Sequence, residues 1–309
     1  MKEIKNVAVL GAGAMGAAYA ARFFNAVQFS IVLVAKGPRR DRLTKEGFVV
    51  NGKRYLIPVV HPDGASQPYD LIIVALKSYN LAEAAPYLKN LVGSETTIIS
   101  VMNGLDSEKY LGSLYGMDKL LYAVAVGIDA VREGNLVTYT NPGKIIFGQT
   151  DNSEPNEQVL RLQEALQKAG IDNDVPPDMI RILWWKFMIN VGVNQASAVM
   201  RAPYGVFQTS QDAQSLMSEL MREVIVLAQH TGVDLKEQDI DDWNAVLKTL
   251  SPKGKTSMLQ DIEAGRRTEV EIFAGKVVGL GKRLRILTPV NRTLLNILHV
   301  LENSQNASV

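Results

Sequence analysis

The sequence predicts a doubly wound parallel α/β sheet over residues 1–176, followed by an all-helical domain over residues 177–309. Three observations predict it. Glycines at GxGxxG spacing follow a short apolar run near the N-terminus, short apolar runs then alternate with helical stretches, and beyond Pro176 and Pro177 the pattern is helical with no strand run of comparable quality. A chain of 309 residues also exceeds the usual size of a single hydrophobic core.

The first element is a buried strand at Val7 to Leu10, and helical composition follows from Ala14 to Phe24. The turn that joins them is Gly11, Ala12, Gly13, Ala14, Met15 and Gly16. Its glycines have separate jobs: Gly11 permits the tight turn, Gly13 lets the backbone approach a pyrophosphate, and Gly16 lets helix and strand pack closely. The helix N-terminus offers free N–H groups to the anion. A Rossmann-like dinucleotide site is therefore expected. Residues 1 to 20 also mimic a secretory leader, with Lys2, Lys5, an apolar run and the triplet AYA. Glycines break that run, and strand, turn and helix account for the segment without cleavage.

Ser30 to Ala35 reads as the second strand. At its end, an enzyme using NAD would place Asp or Glu on the ribose. Here Lys36, Arg39, Arg40 and Arg42 face only Asp41, so a 2′-phosphate is the expected ligand and NADPH the expected cofactor; a solvated basic loop is the alternative. The stretch GFVVNGKRYLIPVV reads as a hairpin that turns at Asn51 and Gly52 and decorates the sheet. Strands at Asp70 to Ala75 and Thr97 to Ser100 alternate with helices near Leu81 to Leu88 and Ser107 to Leu114. LLYAVAVGIDAV, NLVTYT and KIIFGQ read as strands that extend the sheet, ahead of a helix near Glu157 to Ala169. DNDVPPDM is the linker candidate, and SQNASV reads as a frayed polar tail.

Composition excludes several classes of partner. Lys and Arg total 33 against 32 Asp and Glu, which gives no global field for nucleic acid or an anionic membrane. No run of the length of a membrane span is strongly apolar without glycine or charge. There is no Cys, and His61, His230 and His299 are far apart, so no metal site is expected; the cytoplasm is the default location. Whether the chain forms a homodimer is left open by the sequence.

In the helical half, Lys186, Asn190 and Asn194 stand at four-residue spacing inside the apolar stretch WWKFMINVGVNQASAVM. Such a spacing places an ammonium and two carboxamides on one helix face. Desolvating them costs several kcal/mol unless each finds a partner, and a polar substrate is one such partner. A solvated stripe or an internal network is the alternative. Lys77 and Asn103 each follow a predicted parallel strand at its carboxyl end, where ligands of doubly wound sheets bind and where the helical domain is expected to close. An exposed loop lysine and a turn asparagine before Gly104 would look the same. Ser257 and Glu269 lie in apolar-periodic sequence, KTSMLQDIEAGRRTEVE.

These segments together resemble the ketopantoate reductase (2-dehydropantoate 2-reductase) family. The resemblance rests on GAGAMG, ALKSY, MNG, WWKFMINVGVN and TSMLQDIEAGRRTE, in the family's order from residue 7 to about residue 275. It implies NADPH-dependent reduction of a small-molecule 2-keto acid, 2-dehydropantoate, to pantoate on the way to pantothenate and coenzyme A. It also implies residue roles: Lys186 as general acid, Asn190, Asn194 and Ser257 as substrate ligands, and Glu269 as the carboxylate beside the lysine and cofactor. Lys77 and Asn103 become cofactor contacts, Asn103 lying also near substrate, and Ala130 a backbone contact to the cofactor. Two positions where the best-known members place polar substrate contacts depart from the pattern, Tyr204 and Gly254, and the second strand ends in Ala35 and Lys36 rather than in the common Gly-Arg pair.

Burial among Trp184, Trp185, Phe187, Met188 and Ile189 should lower the lysine from its ordinary value of about 10.4, and a nearby Glu269 would oppose that shift. A β-hydroxyacid dehydrogenase shares the Lys and Asn spacing but not the SMLQD and TE segment. A non-catalytic NADPH-binding sensor would be marked by loss of Lys186 or Glu269, and both are present.

Overall fold

The computed structural model describes residues 3–64 and 67–307, with side chains through residue 303. Lys2 and the last two residues of the expected tail lie outside them. The chain divides into two compact units, Met1–Met179 and Ile180–Val309.

The first unit is built on an eight-stranded sheet. Its strands are β1 (Asn6–Leu10), β2 (Ser30–Val34), β5 (Val59–Val60), β6 (Leu71–Val74), β7 (Thr97–Ser100), β8 (Leu120–Val126), β11 (Lys144–Gly148) and β12 (Asp172–Asp174). The order is β12-β11-β8-β7-β6-β1-β2-β5, parallel throughout except where β11 runs against β8. Strands buried on both faces carry continuous apolar runs, as VAVL and LIIV do. Val7 and Val9 join one core with Phe23, while Ala8 and Leu10 join the core on the opposite face with Leu88. The helices are α1 (Ala14–Asn25), α2 (Gly37–Glu46), α3 (Leu81–Ala84), α4 (Ser107–Tyr115) and α5 (Glu157–Lys168).

Three expectations need correction. The hairpin forms, as β3 (Phe48–Val50) and β4 (Lys53–Tyr55), around Asn51 and Gly52 at φ 46° and 83°, angles that suit a tight two-residue hairpin turn. It does not decorate the main sheet. β3 pairs in parallel with β10 (Leu136–Thr138), which pairs with β9 (Val131–Glu133), giving a second sheet of order β4-β3-β10-β9. So of the segment 120–150 only β8 and β11 extend the large sheet. The basic stretch, for which a solvated loop is the alternative reading, is helix α2, with Pro38 in its first turn and Gly47 ending it at φ 64°. Lastly, the first three residues of the linker candidate form edge strand β12, held to β11 by an ion pair of Lys144 with Asp174.

The second unit is helical, with no strand among its described residues. Its helices are α6 (Met179–Ile189, beginning at the boundary), α7 (Gln195–Met200), α8 (Tyr204–Thr209), α9 (Gln211–His230), α10 (Glu237–Leu247), α11 (Ser257–Glu263), α12 (Ala274–Leu284) and α13 (Pro289–Ala307). α13 carries helix through the expected tail as far as Ala307. Among the described residues no helix is long and apolar enough to cross a membrane, and no three potential ligands cluster to hold a metal ion.

One buried carboxyl in the first unit responds to pH. Glu108 on α4 is 2% exposed, accepts from Ser107 Oγ at 2.8 Å, and is pushed by burial up to about 7 from an ordinary 4.5. Because the folded value is raised, its contribution is fully present below about pH 4.5 and lost as pH rises through about 7. Glu108→Gln should therefore raise the melting temperature at pH 8, by up to about 3 kcal/mol of stability, and do little at pH 4. Equal shifts at both pH values in thermal melts would show that Glu108 is not the titrating group.

Candidate active site

At the carboxyl edge of the large sheet four neighbouring strands deliver polar groups side by side. β1 ends in the glycine turn, where Gly11 takes φ 102° and a Cβ would lie 2.4 Å from Ala75 O, a conformation and a space open only to glycine. A Cβ on Gly16 would stand 1.8 Å from Gly11 O, so helix α1 packs against its own turn. A Cβ on Gly13 would meet nothing within 4 Å, which leaves room for a ligand above that peptide. No side chain caps α1, so the N–H groups of Ala14, Met15 and Gly16 are not taken up by a cap. Just past β6, Ala75 N donates to Leu10 O at 2.9 Å, and Lys77 follows two residues later at the head of a 3₁₀ turn. Asn103 follows β7, half-buried, with Gly104 behind it at φ 100°.

Beyond β2 the basic residues divide. Lys36 turns toward the 85–88 segment, its Nζ 4.2 Å from the centre of the Tyr87 ring, and the bond to Tyr87 holds its ammonium above the ordinary lysine value. Arg39 and Arg42 stand three residues apart on α2 and are neighbours on its surface. Burial, then the charge of Arg42, lowers the Arg39 guanidinium. Arg40 is exposed and set apart from them by the helical turn. The third member of the cluster is one the sequence reading did not single out: Arg132 on β9, lowered by burial and then by Arg39 and Arg42, donates to the Ala12 carbonyl in the glycine turn. Ala130, two residues before it, packs against the same core. An uncapped helix N-terminus, an open face at Gly13 and three arginines without carboxylates fit a phosphate-bearing dinucleotide.

In the helical unit, α6 does not run straight into α7. Residues Asn190–Asn194 form one turn of π-helix, a distortion frequent at functional sites. Gly192 in that turn is pressed against α9: a Cβ there would lie 2.5 Å from Met221 Cε and 3.1 Å from Met217 O. Asn190 and Asn194 are 4% and 6% exposed. Asn194 Nδ2 lies 3.5 Å from Asn190 Oδ1 and 3.4 Å from Ser257 Oγ, contacts too long to use its donors well. Ser257 reaches this position because Thr256 caps α11, accepting from Leu259 N at 3.1 Å and donating to Ser197 Oγ on α7 at 3.2 Å.

Lys186 stands one turn earlier, half-buried beside the edge-to-face pair Trp184 and Phe187, whose ring centres are 6.0 Å apart. Burial alone lowers its ammonium to about 8, and no carboxylate opposes the shift. Among the described residues no hydrogen bond or ion pair is made by its Nζ. Glu269, 3% exposed, sits at the head of the turn Val270–Ile272, a segment drawn toward α6 by Phe187 and Phe273, ring centres 6.4 Å apart. Its neighbour Thr268 is tied to α13 through Glu302, which accepts from Thr268 N at 2.7 Å. Asn190, Asn194 and Ser257 are thus brought together, while the expected pairing of Lys186 with Glu269 has no ion pair behind it.

A family model described as ketopantoate reductase PanE/ApbA matches residues 7–152, and one described as its C-terminal part matches residues 178–302. The chain belongs to the ketopantoate reductase family. A curated relative from Pyrococcus horikoshii, named 2-dehydropantoate 2-reductase, is 26% identical over 306 residues, covering 96% of this chain and 97% of its own. Solved structures share the fold. A ternary complex of D-mandelate dehydrogenase with NADH and anilino(oxo)acetate superposes with a TM-score of 0.89 at 19% identity, over 97% of this chain and 99% of that one. A ketopantoate reductase from Ralstonia eutropha gives 0.84 at 24% identity over 97% and 99%.

Within this family, the two departures Tyr204 and Gly254 prove to be one feature. Tyr204 N donates to Gly254 O at 3.0 Å, and a Cβ on residue 254 would lie 2.9 Å from Tyr204 Cδ2, so the tyrosine ring occupies the space that a side chain at 254 would fill. Burial pushes the Tyr204 hydroxyl up to about 12.

The π turn supplies a direct test of how tightly these amides are held. Gly192→Ala forces a methyl against Met221 and the Met217 carbonyl, and should cost about 1–3 kcal/mol by overpacking. Thermal denaturation should register that loss; an unchanged melting temperature would mean the turn relaxes freely.

Proposed function

We propose that this chain reduces 2-dehydropantoate to pantoate with NADPH. The observation that carries the reading is Lys186: a half-buried ammonium lowered to about 8 by burial, on the helix that leads into the π turn carrying Asn190 and Asn194, where Asn194 makes only long contacts. The cofactor, when bound, supplies the hydride to the 2-keto carbon. The chain's own residues then do the rest. Reduction turns the ketone oxygen into an alkoxide, and Lys186 Nζ gives it a proton, its positive charge stabilising the oxygen as negative charge develops. A donor near 8 is far better matched to neutral pH than an ordinary lysine. Asn190, Asn194 and Ser257 offer donors and acceptors that suit the hydroxyl and carboxylate of a polyfunctional acid. Glu269 is assigned a positioning role toward lysine and cofactor. The glycine turn, Lys77, Asn103 and the backbone at Ala130 hold the dinucleotide, and Arg39 and Arg42 select its 2′-phosphate.

A second reading, supported by the Tyr204 ring packed over Gly254, is that the preferred substrate is another 2-keto acid. The discriminating measurement is NADPH oxidation against ketopantoate, other branched 2-keto acids and 3-keto acids. Ketopantoate should give the highest kcat/KM, because simpler acids leave polar groups unpaired; parity with pyruvate or a 3-keto acid would overturn the substrate assignment.

Lys186→Ala should lower kcat by about 10²- to 10⁴-fold while NADPH affinity changes little. In the unaltered protein the proton donor must be charged, so kcat should hold below about pH 8 and fall above it. Near-normal turnover by a folded Lys186→Ala protein would remove the lysine from the mechanism.

A further inference from the structure

The cluster beside the glycine turn contains a residue with no role in the reading above. Arg132 sits at the centre of β9, far in sequence from both the turn and α2, and reaches them through the second sheet. β9 is the antiparallel neighbour of β10, Arg132 opposite Val137, and β10 is the parallel neighbour of β3, the strand that begins as α2 ends. This route carries the guanidinium back to the first turn of the chain. There Nη1 donates to the Ala12 carbonyl and Nε donates to Gly134 O at 2.9 Å. Of five N–H donors in a guanidinium fork, these bonds use two. Among the described residues no carboxylate pairs with Arg132, Arg39 or Arg42.

Three like charges, two from α2 and one from β9, repel one another, and no carboxylate among the described residues pairs with them. A doubly charged anion would. The bond to Ala12 also places the cluster against the peptide next to Gly13, the position with open space above it. We propose that Arg132 is a ligand of the cofactor's 2′-phosphate, forming with Arg39 and Arg42 a three-arginine site and fixing the glycine turn to that site through Ala12. This inference rests on the NADPH reading, and it makes Arg132, rather than Lys36 or Arg40, the partner of Arg39 and Arg42.

The test is direct binding of NADPH, NADH, 2′,5′-ADP and 5′-AMP by titration calorimetry to the unaltered protein, Arg132→Gln, Arg132→Lys and Arg40→Gln, with thermal melts to establish folding. Arg132→Gln should weaken NADPH and 2′,5′-ADP by about tenfold or more, and NADH and 5′-AMP by less than about threefold. Arg132→Lys keeps the charge but loses the fork, and should fall between. Arg40→Gln should leave all four ligands nearly unchanged. Equal weakening of the phosphorylated and unphosphorylated ligands would reduce Arg132 to a brace for the turn and overturn the proposal, as would unaltered binding in both Arg132 variants. If Arg132→Gln does not fold, the Lys variant alone decides, by the same ratio of NADPH to NADH. An unaltered protein that binds NADH as tightly as NADPH would instead sink the cofactor reading itself, a failure visible before any variant is made.

Discussion

Gln195 is fully buried, and its carboxamide must find its hydrogen bonds inside the protein or forfeit several kcal/mol. It finds them on three sides. Its Nε2 donates to Val191 O at 2.8 Å, within the π turn, and to Asn291 Oδ1 on α13 at 3.2 Å, while its Oε1 accepts from Ala274 N at the head of α12 at 2.9 Å. Asn291 continues the chain to α9, donating to Glu223 Oε2 at 2.8 Å and to Leu220 O at 3.2 Å. One amide thereby ties the π turn to the helices that surround it. The π turn in turn decides where Asn190 and Asn194 point, so the candidate substrate amides are held by residues that need never touch a substrate. Networks of this kind are stable only when complete, which makes Gln195 and Asn291 as restrictive as any apolar contact in the core.

The same accounting shows where satisfaction stops. In the helical unit Gln195 and Asn291 are paired at ordinary distances, whereas Asn194 is left with long contacts and Lys186, among the described residues, with none. The sheet unit repeats the contrast. Asp70 accepts from Lys5 N at 3.0 Å and Asn6 N at 2.9 Å, pinning β6 to the start of β1, and Asp129 ties the 140–141 loop through Asn141 N at 2.8 Å. Arg39, Arg42 and Arg132, by contrast, face one another without an acid. Buried side-chain atoms without a partner occur elsewhere too, at Tyr19, Arg161 and Trp243 among others, so what sets the two sites apart is the cluster of like charges at the glycine turn and the lone ammonium of Lys186.

Most of the large sheet was legible because its signals are local. β1, β2, β6 and β7 are apolar runs bounded by turns, and the glycine roles follow from spacing that the close approaches at Gly11 and Gly16 explain physically. The elements that escaped reading are those whose identity depends on distant partners. NLVTYT has the composition of any strand, and only its pairing with Val49 and Val50 sends it to the second sheet. DND has no strand composition at all and is a strand only because β11 offers an edge. α2 is too polar to betray itself by apolar periodicity. On the site, the helical spacing of Lys186, Asn190 and Asn194 was readable, but the π turn between them was not, and neither was Gly192, whose reason for being glycine lies on α9. Arg132 stood in plain view between the segments LLYAVAVGIDAV and NLVTYT. Its meaning came only from a bond to a carbonyl 120 residues away.

The charge environment of Lys186 carries the last step. A lysine paired with a carboxylate would keep or raise its ordinary proton affinity, and would be a reluctant acid at neutral pH. Burial without a pairing acts the other way and brings Nζ to about 8, where a large fraction is protonated yet the proton is not held tightly. On this view Glu269 serves best by not pairing with Lys186 in the free protein. Its burial at 3% exposure beside Val270, on a segment fixed by Thr268 and Glu302, leaves it oriented by its surroundings and not by the lysine. Any interaction with Lys186 that weakened as positive charge left Nζ would work against proton transfer, whereas one that oriented the ammonium without stabilising its charge would help. The geometry of the free protein, with the two groups on separate elements and no ion pair joining them, is the arrangement that would keep Lys186 a strong acid in the proposed reaction.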